Sequence, residues 1–98
     1  MIPDANDAAL LDALRACFDP RTRRDIVSAG LVRSAKLAPD PHSSAFLPRF
    51  IAHITLTAPG SDEAANAQLA AQIENRLAGL EWISHTVLTL KPPLFSIL

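Results

Sequence analysis

The side chains of this sequence with chemistry beyond packing are one thiol, three imidazoles, three closely spaced guanidiniums and one hydroxyl at the mouth of a predicted helix. Cys17 is the single cysteine, so it has no partner for an internal disulfide and gives no multi-cysteine metal signature. It follows Leu14 by three residues on an apolar helical stripe, which predicts a buried structural thiol. His53 and His85 fall on separate predicted strands and could meet on one open face, but two imidazoles without a third ligand make a weak metal site. His42 lies in a long loop and carries no signal. Nothing resembles a nucleophile elbow, and there is no G-x-x-x-x-G-K-[ST] phosphate loop. No catalytic residue, cofactor-binding residue or metal ligand is therefore assigned.

The guanidiniums belong to Asp19–Asp25, "DPRTRRD". Arg21, Arg23 and Arg24 carry three positive charges against the two negative charges of Asp19 and Asp25, leaving a local charge of one. One reading is a basic edge for an acidic partner or a phosphate. The favoured reading is a corner. An Asp-Pro pair initiates turns because the carboxylate accepts backbone N–H groups just beyond it, and the bracketing carboxylates neutralise the arginines at a solvated surface. Exposed arginines at such a corner still tune association with a partner.

Nine basic and ten acidic residues give a net charge of −1, unlike the clearly basic balance of a general nucleic-acid binder. No apolar run reaches the roughly 18 residues of a membrane span, and the acidic N-terminus lacks the basic start of a signal peptide. These features predict a cytoplasmic protein that engages neither nucleic acid nor membrane. Ninety-eight residues suit one domain with one core, here placed at residues 1–91 with an apolar tail at 92–98.

Hydrophobic spacing predicts a first helix over Asp7–Cys17, capped by Asn6 and stopped by Pro20. A strand over Leu31–Leu37 follows Gly30, and the proline-rich stretch 38–48 reads as a loop. Arg49–Thr57 alternates, with Phe50, Ala52, Ile54 and Leu56 facing one way, as a half-buried strand does. Ser61 (or Gly60) is the expected cap of a second helix, whose stripe runs through Ala65, Leu69, Ile73 and Leu77 to a stop at Gly79. Residues 83–90 are rich in β-branched residues and form a third strand, ended by Lys91 and two prolines. The order α-β-β-α-β predicts an α+β, two-layer sandwich. It combines a hairpin with a right-handed crossover to a parallel strand, giving a three-stranded mixed sheet with both helices on one face.

With these elements in place, the pattern D-P-x(4)-D-I-V-S-x-G-L-V on Asp19, Pro20 and Asp25–Val32 resembles the metal–sulfur cluster biosynthetic domain. That family supplies the N-terminal domain of Mrp/ApbC iron–sulfur carrier ATPases and the SufT- and PaaD-type proteins. The T-x-P of Thr57–Pro59, opening the second helix, extends the likeness, which covers about residues 7 to 90. Two positions depart from the family pattern. Arg21 stands where an acidic residue is common, and Ser61 stands where many members carry a reactive cysteine in T-x-P-x-C-P. A thiol at a helix start is a ready thiolate, whereas a serine hydroxyl has neither that acidity nor a soft donor atom. Mrp-type N-terminal domains often lack this cysteine as well.

The resemblance implies a non-enzymatic accessory, protein-interaction domain of iron–sulfur cluster assembly or transfer. It implies an iron–sulfur scaffold or P-loop ATPase carrier as partner, at most a transient iron–sulfur cluster as cofactor, and a homodimer as a further expectation. Asp19, Arg23, Arg24, Asp25, Thr57 and Ser61 are the expected docking residues. The alternative is a direct metal or cluster carrier that works as a dimer through Cys17 with His53 or His85, which requires Cys17 to be exposed. A third reading is a structural or regulatory homodimer that has lost the family role.

Overall fold

The structure, a computed structural model, describes residues 6–58, 60 and 62–92. Ser61 and the apolar tail from residue 93 onward lie outside the described residues. The elements are α1 (Asp7–Leu14), β1 (Val32–Pro39), β2 (Phe50–Thr57), α2 (Glu63–Ala78) and β3 (Ile83–Lys91). β2 is the middle strand, antiparallel to β1 and parallel to β3, so the α+β class and the mixed three-stranded sheet are as the sequence predicts.

α1 starts where its cap chemistry demands. The Asn6 side chain accepts the Ala9 N–H at 2.8 Å, and Asp7 complements the positive helix end. The helix ends at Leu14 rather than at the predicted Cys17. The Ala16 and Cys17 N–H groups bond the carbonyls of Ala13 (3.2 Å) and Leu14 (3.0 Å), so the last turn tightens to three-residue spacing before the chain leaves for Pro20.

β1 runs two residues past its predicted end, because Ala38 and Pro39 still pair with Ile51 and Phe50. Pro39 is tolerated there since β1 is an edge strand. β2 alternates as expected: Ala52, Ile54 and Leu56 are buried and His53 is exposed.

α2 corrects one expectation. Its cap is Asp62, whose carboxylate accepts the N–H groups of Ala64 (3.0 Å) and Ala65 (3.3 Å). A carboxylate adds charge complementarity with the helix end to the hydrogen bonds any cap supplies, which is why the helix begins after the acid. At the other end Gly79 does follow the last helical residue, but with right-handed dihedrals.

Leu10 and Leu14 of α1, Leu69, Ile73 and Leu77 of α2, and the buried residues of β2 belong to one core cluster, which Cys17 and Ile26 complete. Burying each large aliphatic side chain contributes about 1.5–3 kcal/mol. Among the described residues no helix is long and apolar enough to cross a membrane.

Leu69 is fully buried in the α2 stripe. Leu69→Ala is expected to lower unfolding stability by about 2–5 kcal/mol through lost transfer energy and the cavity left behind. Urea titration followed by circular dichroism measures it.

Candidate docking site

The arginine-rich stretch is the tip of a minimal hairpin. Phe18 and Asp25 form an antiparallel bridge. The Asp19 N–H donates to the Arg24 carbonyl (2.9 Å) and the Ile26 N–H to the Cys17 carbonyl (3.0 Å). Inside this loop Asp19 is buried, with 3% of its surface exposed. A carboxylate taken out of water needs partners, and it has them: the Arg21 N–H at 3.0 Å, the Thr22 hydroxyl at 3.2 Å and Arg21 Nε at 4.0 Å. The Asp19 carbonyl also accepts the Arg23 N–H at 2.8 Å. Arg23 closes the turn in the left-handed region, φ 61°, where a non-glycine residue is uncommon. The backbones of Arg23 and Arg24 thus build the corner while both residues remain exposed.

Asp25 opens a second turn. Its carboxylate accepts the Ser28 N–H at 2.9 Å, and Gly30, at φ 74°, lets the chain reverse so that the Leu31 N–H reaches the Ile26 carbonyl at 3.0 Å. Gly30 is thus required by its dihedral. The Asp25 carboxylate is engaged by its own turn and keeps the negative charge that it sets beside the corner arginines. The Ser28 N–H, followed by the Ser28 hydroxyl, holds the Asp25 carboxyl below the usual carboxylate range. Partial burial opposes that shift, and the Val27 N–H and the Arg15 charge reinforce it.

Two contacts join the corner to α2 and to the turn before it. The Gln72 amide grips the backbone of Phe18 from both sides, accepting its N–H at 2.8 Å and donating to its carbonyl at 2.9 Å. The Arg21 guanidinium lies over Gly60, where a β-carbon would sit 2.5 Å from Nη1. The Asn66 side chain donates to the Gly60 carbonyl at 3.1 Å and holds this turn to α2. Thr57, half-buried at the end of β2, donates its N–H to the Leu31 carbonyl at 2.8 Å. Asp19, Arg23, Arg24, Asp25 and Thr57 therefore belong to neighbouring segments, and Ser61 falls outside the described residues. Gln72 and Asn66 were not singled out by sequence reasoning. Nothing in their spacing marks a polar helix residue as the clamp of a loop 54 positions away.

The thiol is kept apart from the imidazoles. Cys17 is fully buried, and burial pushes its thiol pKa up, with the Arg76 charge pulling weakly the other way. The carrier alternative needs that thiol exposed, and it is packed in the core instead. His53 and His85 are both exposed; His53 pairs with Val87 and His85 with Ile51, so they are diagonal neighbours. They share the face opposite buried Ala52 and Ile54, and that arrangement separates them from Cys17. His42 donates its N–H to Asp40 at 2.9 Å. The Asp40 carboxyl is held low by the Ser84 hydroxyl, then by that His42 N–H, with the His42 and His85 charges adding to both. Among the described residues no group of three His, Cys, Asp or Glu side chains could hold a metal ion.

Compared with protein-family models, curated proteins and solved structures, the chain finds no match in any of the three. The likeness to metal–sulfur cluster domains rests on the motif residues alone.

Asp19→Ala strips two donors of their buried acceptor and is expected to cost about 1–3 kcal/mol, with Asp19→Asn recovering part of it. The shift of the denaturation midpoint measures both. For Asp25, a folded pKa below the unfolded value means that its stabilisation is present above about pH 4 and is lost as pH falls through the folded value. Asp25→Asn is expected to flatten the acid limb of the stability–pH curve, measured by urea unfolding at successive pH values.

Proposed function

We propose that this chain is a protein-interaction domain of iron–sulfur cluster assembly or transfer, whose docking surface is the Asp19–Asp25 corner together with the turn leading into α2. The observation that carries the reading is the approach of the two segments: the Arg21 guanidinium lies over Gly60, while Gln72 of α2 holds the corner in place. The corner and the Gly60 turn thereby lie side by side, with Arg23 and Arg24 exposed. The shared core of α1, α2 and β2 supports the further reading that both helices cover one sheet face and leave the other open, with His53 and His85 on it.

The partner is an iron–sulfur scaffold or a P-loop ATPase carrier, met through an acidic patch opposite Arg23 and Arg24. The domain recognises its partner without ligating the cargo, since its thiol is buried and a serine stands at the family's cysteine position. Docking of this kind is a non-catalytic role in the cytoplasm.

The test is binding of the purified chain to such a scaffold or carrier, read by surface plasmon resonance. Arg24→Glu is expected to slow association roughly tenfold, with the effect shrinking at high salt. Arg23→Gly removes a charge at a residue whose φ suits glycine, so it is expected to weaken binding without loss of stability. Failure to bind either partner class overturns the proposal. Stoichiometric iron after anaerobic reconstitution, lost in Cys17→Ala, overturns it in favour of a carrier.

A further inference from the structure

Among the described residues the two outer edges of the sheet are built differently. β1 is guarded. Its pairing slips at Arg33, between Val32 and Ser34, it ends in Pro39, it exposes Arg33 and Lys36, and Asp7 of α1 accepts the Leu37 N–H at 3.0 Å. Bulges, prolines, edge charges and a covering helix are the devices by which edge strands refuse additional strands. β3 has few of them. After a register break between Ile83 and His85, it runs to Leu90 with neither proline nor formal charge. Among the described residues the backbone of His85–Leu90 has no hydrogen-bond partner outside β2. A groove of about 250 Å³ opens beside the first half of this edge, between Glu74 and Ala78 of α2 and residues 83–86 of β3.

We propose that β3 is a dimerisation edge, pairing antiparallel with β3 of a second copy to extend the three-stranded sheet to six strands about a two-fold axis at Val87. The strand is complementary to itself in that register. Val87, an apolar residue 43% exposed at the strand centre, meets Val87 of the second copy. Thr86 meets Leu88 and Ser84 meets Leu90, so the large half-buried leucines of each copy come to the groove that the other lines with Ala78, Ser84 and Thr86. His85 meets Thr89, and Lys91 falls near Ile83, so no cation is set against a cation. A peptide from an unrelated protein is less suited, because between its ends the strand offers no fixed charge with which to select one. A second copy brings both the apolar centre and the leucines. The closed two-fold arrangement satisfies both edges at once. It uses none of the Asp19–Asp25 residues, so the proposal is independent of the iron–sulfur reading.

The test is sedimentation velocity of the full chain over a micromolar concentration series, with Val87→Lys and Val87→Glu each checked for folding by circular dichroism. Val87 is exposed, so both variants are expected to fold. The unmodified chain is expected to dimerise, and each variant to raise the dimer dissociation constant at least about tenfold by placing like charges across the axis. An equimolar mixture of the two variants is expected to restore association by opposite charge. A chain that stays monomeric throughout, or a dimer indifferent to both variants, overturns the proposal.

Discussion

Burial of one side of β2 is the constraint on which the other elements depend. β2 lies between β1 and β3, and its alternation gives Ala52, Ile54 and Leu56 to the core while turning His53 to solvent. A one-residue slip in either ladder would carry that apolar set out of the core, so both pairings are held in register by the same three side chains. α1 and α2 contribute Leu10, Leu14, Leu69, Ile73 and Leu77 to the cluster those residues anchor. The short α1 gains little from helix propensity alone, and its place is secured by packing against this cluster.

The corner solves a different problem, that of a carboxylate with almost no access to water. Asp19 is held by the backbone N–H of Arg21, the hydroxyl of Thr22 and the proximity of the Arg21 guanidinium. Its main-chain groups at the same time bond Arg24 and Arg23. A bend this tight requires a left-handed residue, and Arg23 takes that conformation although it is not a glycine. Residues held in such regions persist where their surroundings over-determine them, and here those surroundings are the bridge from Phe18 to Asp25 and the grip of Gln72.

These features together separate two kinds of chemistry. The soft donor is sealed in the core with its thiol pKa raised, so its thiolate is disfavoured. The hard, permanently charged groups stand at the surface on a rigid corner, where guanidiniums favour planar carboxylate or phosphate partners. The fold buries the thiol and displays the guanidiniums.

The local codes were legible in the sequence. The period-two run of β2, the stripe of α2, Asn6 as a cap, Gly30 at a reversal and the corner itself all follow from side-chain type at short spacing, and the order of elements followed from them. The end of α1 was misjudged by three residues and the cap of α2 by one or two. The helix end moved because the last turn tightens to three-residue spacing, and the cap because neighbouring groups could serve and geometry decided between them. The clamp of Gln72 on Phe18 and the seat of Arg21 over Gly60 were not legible at all. Residue types and their periodicity determined which elements form and which faces are apolar, because those depend on dihedral preference and on interactions within a few positions. Only the tertiary structure decided which polar groups meet across the chain, because a hydrogen bond between residues 54 positions apart depends on how the helix docks, to within a fraction of an ångström.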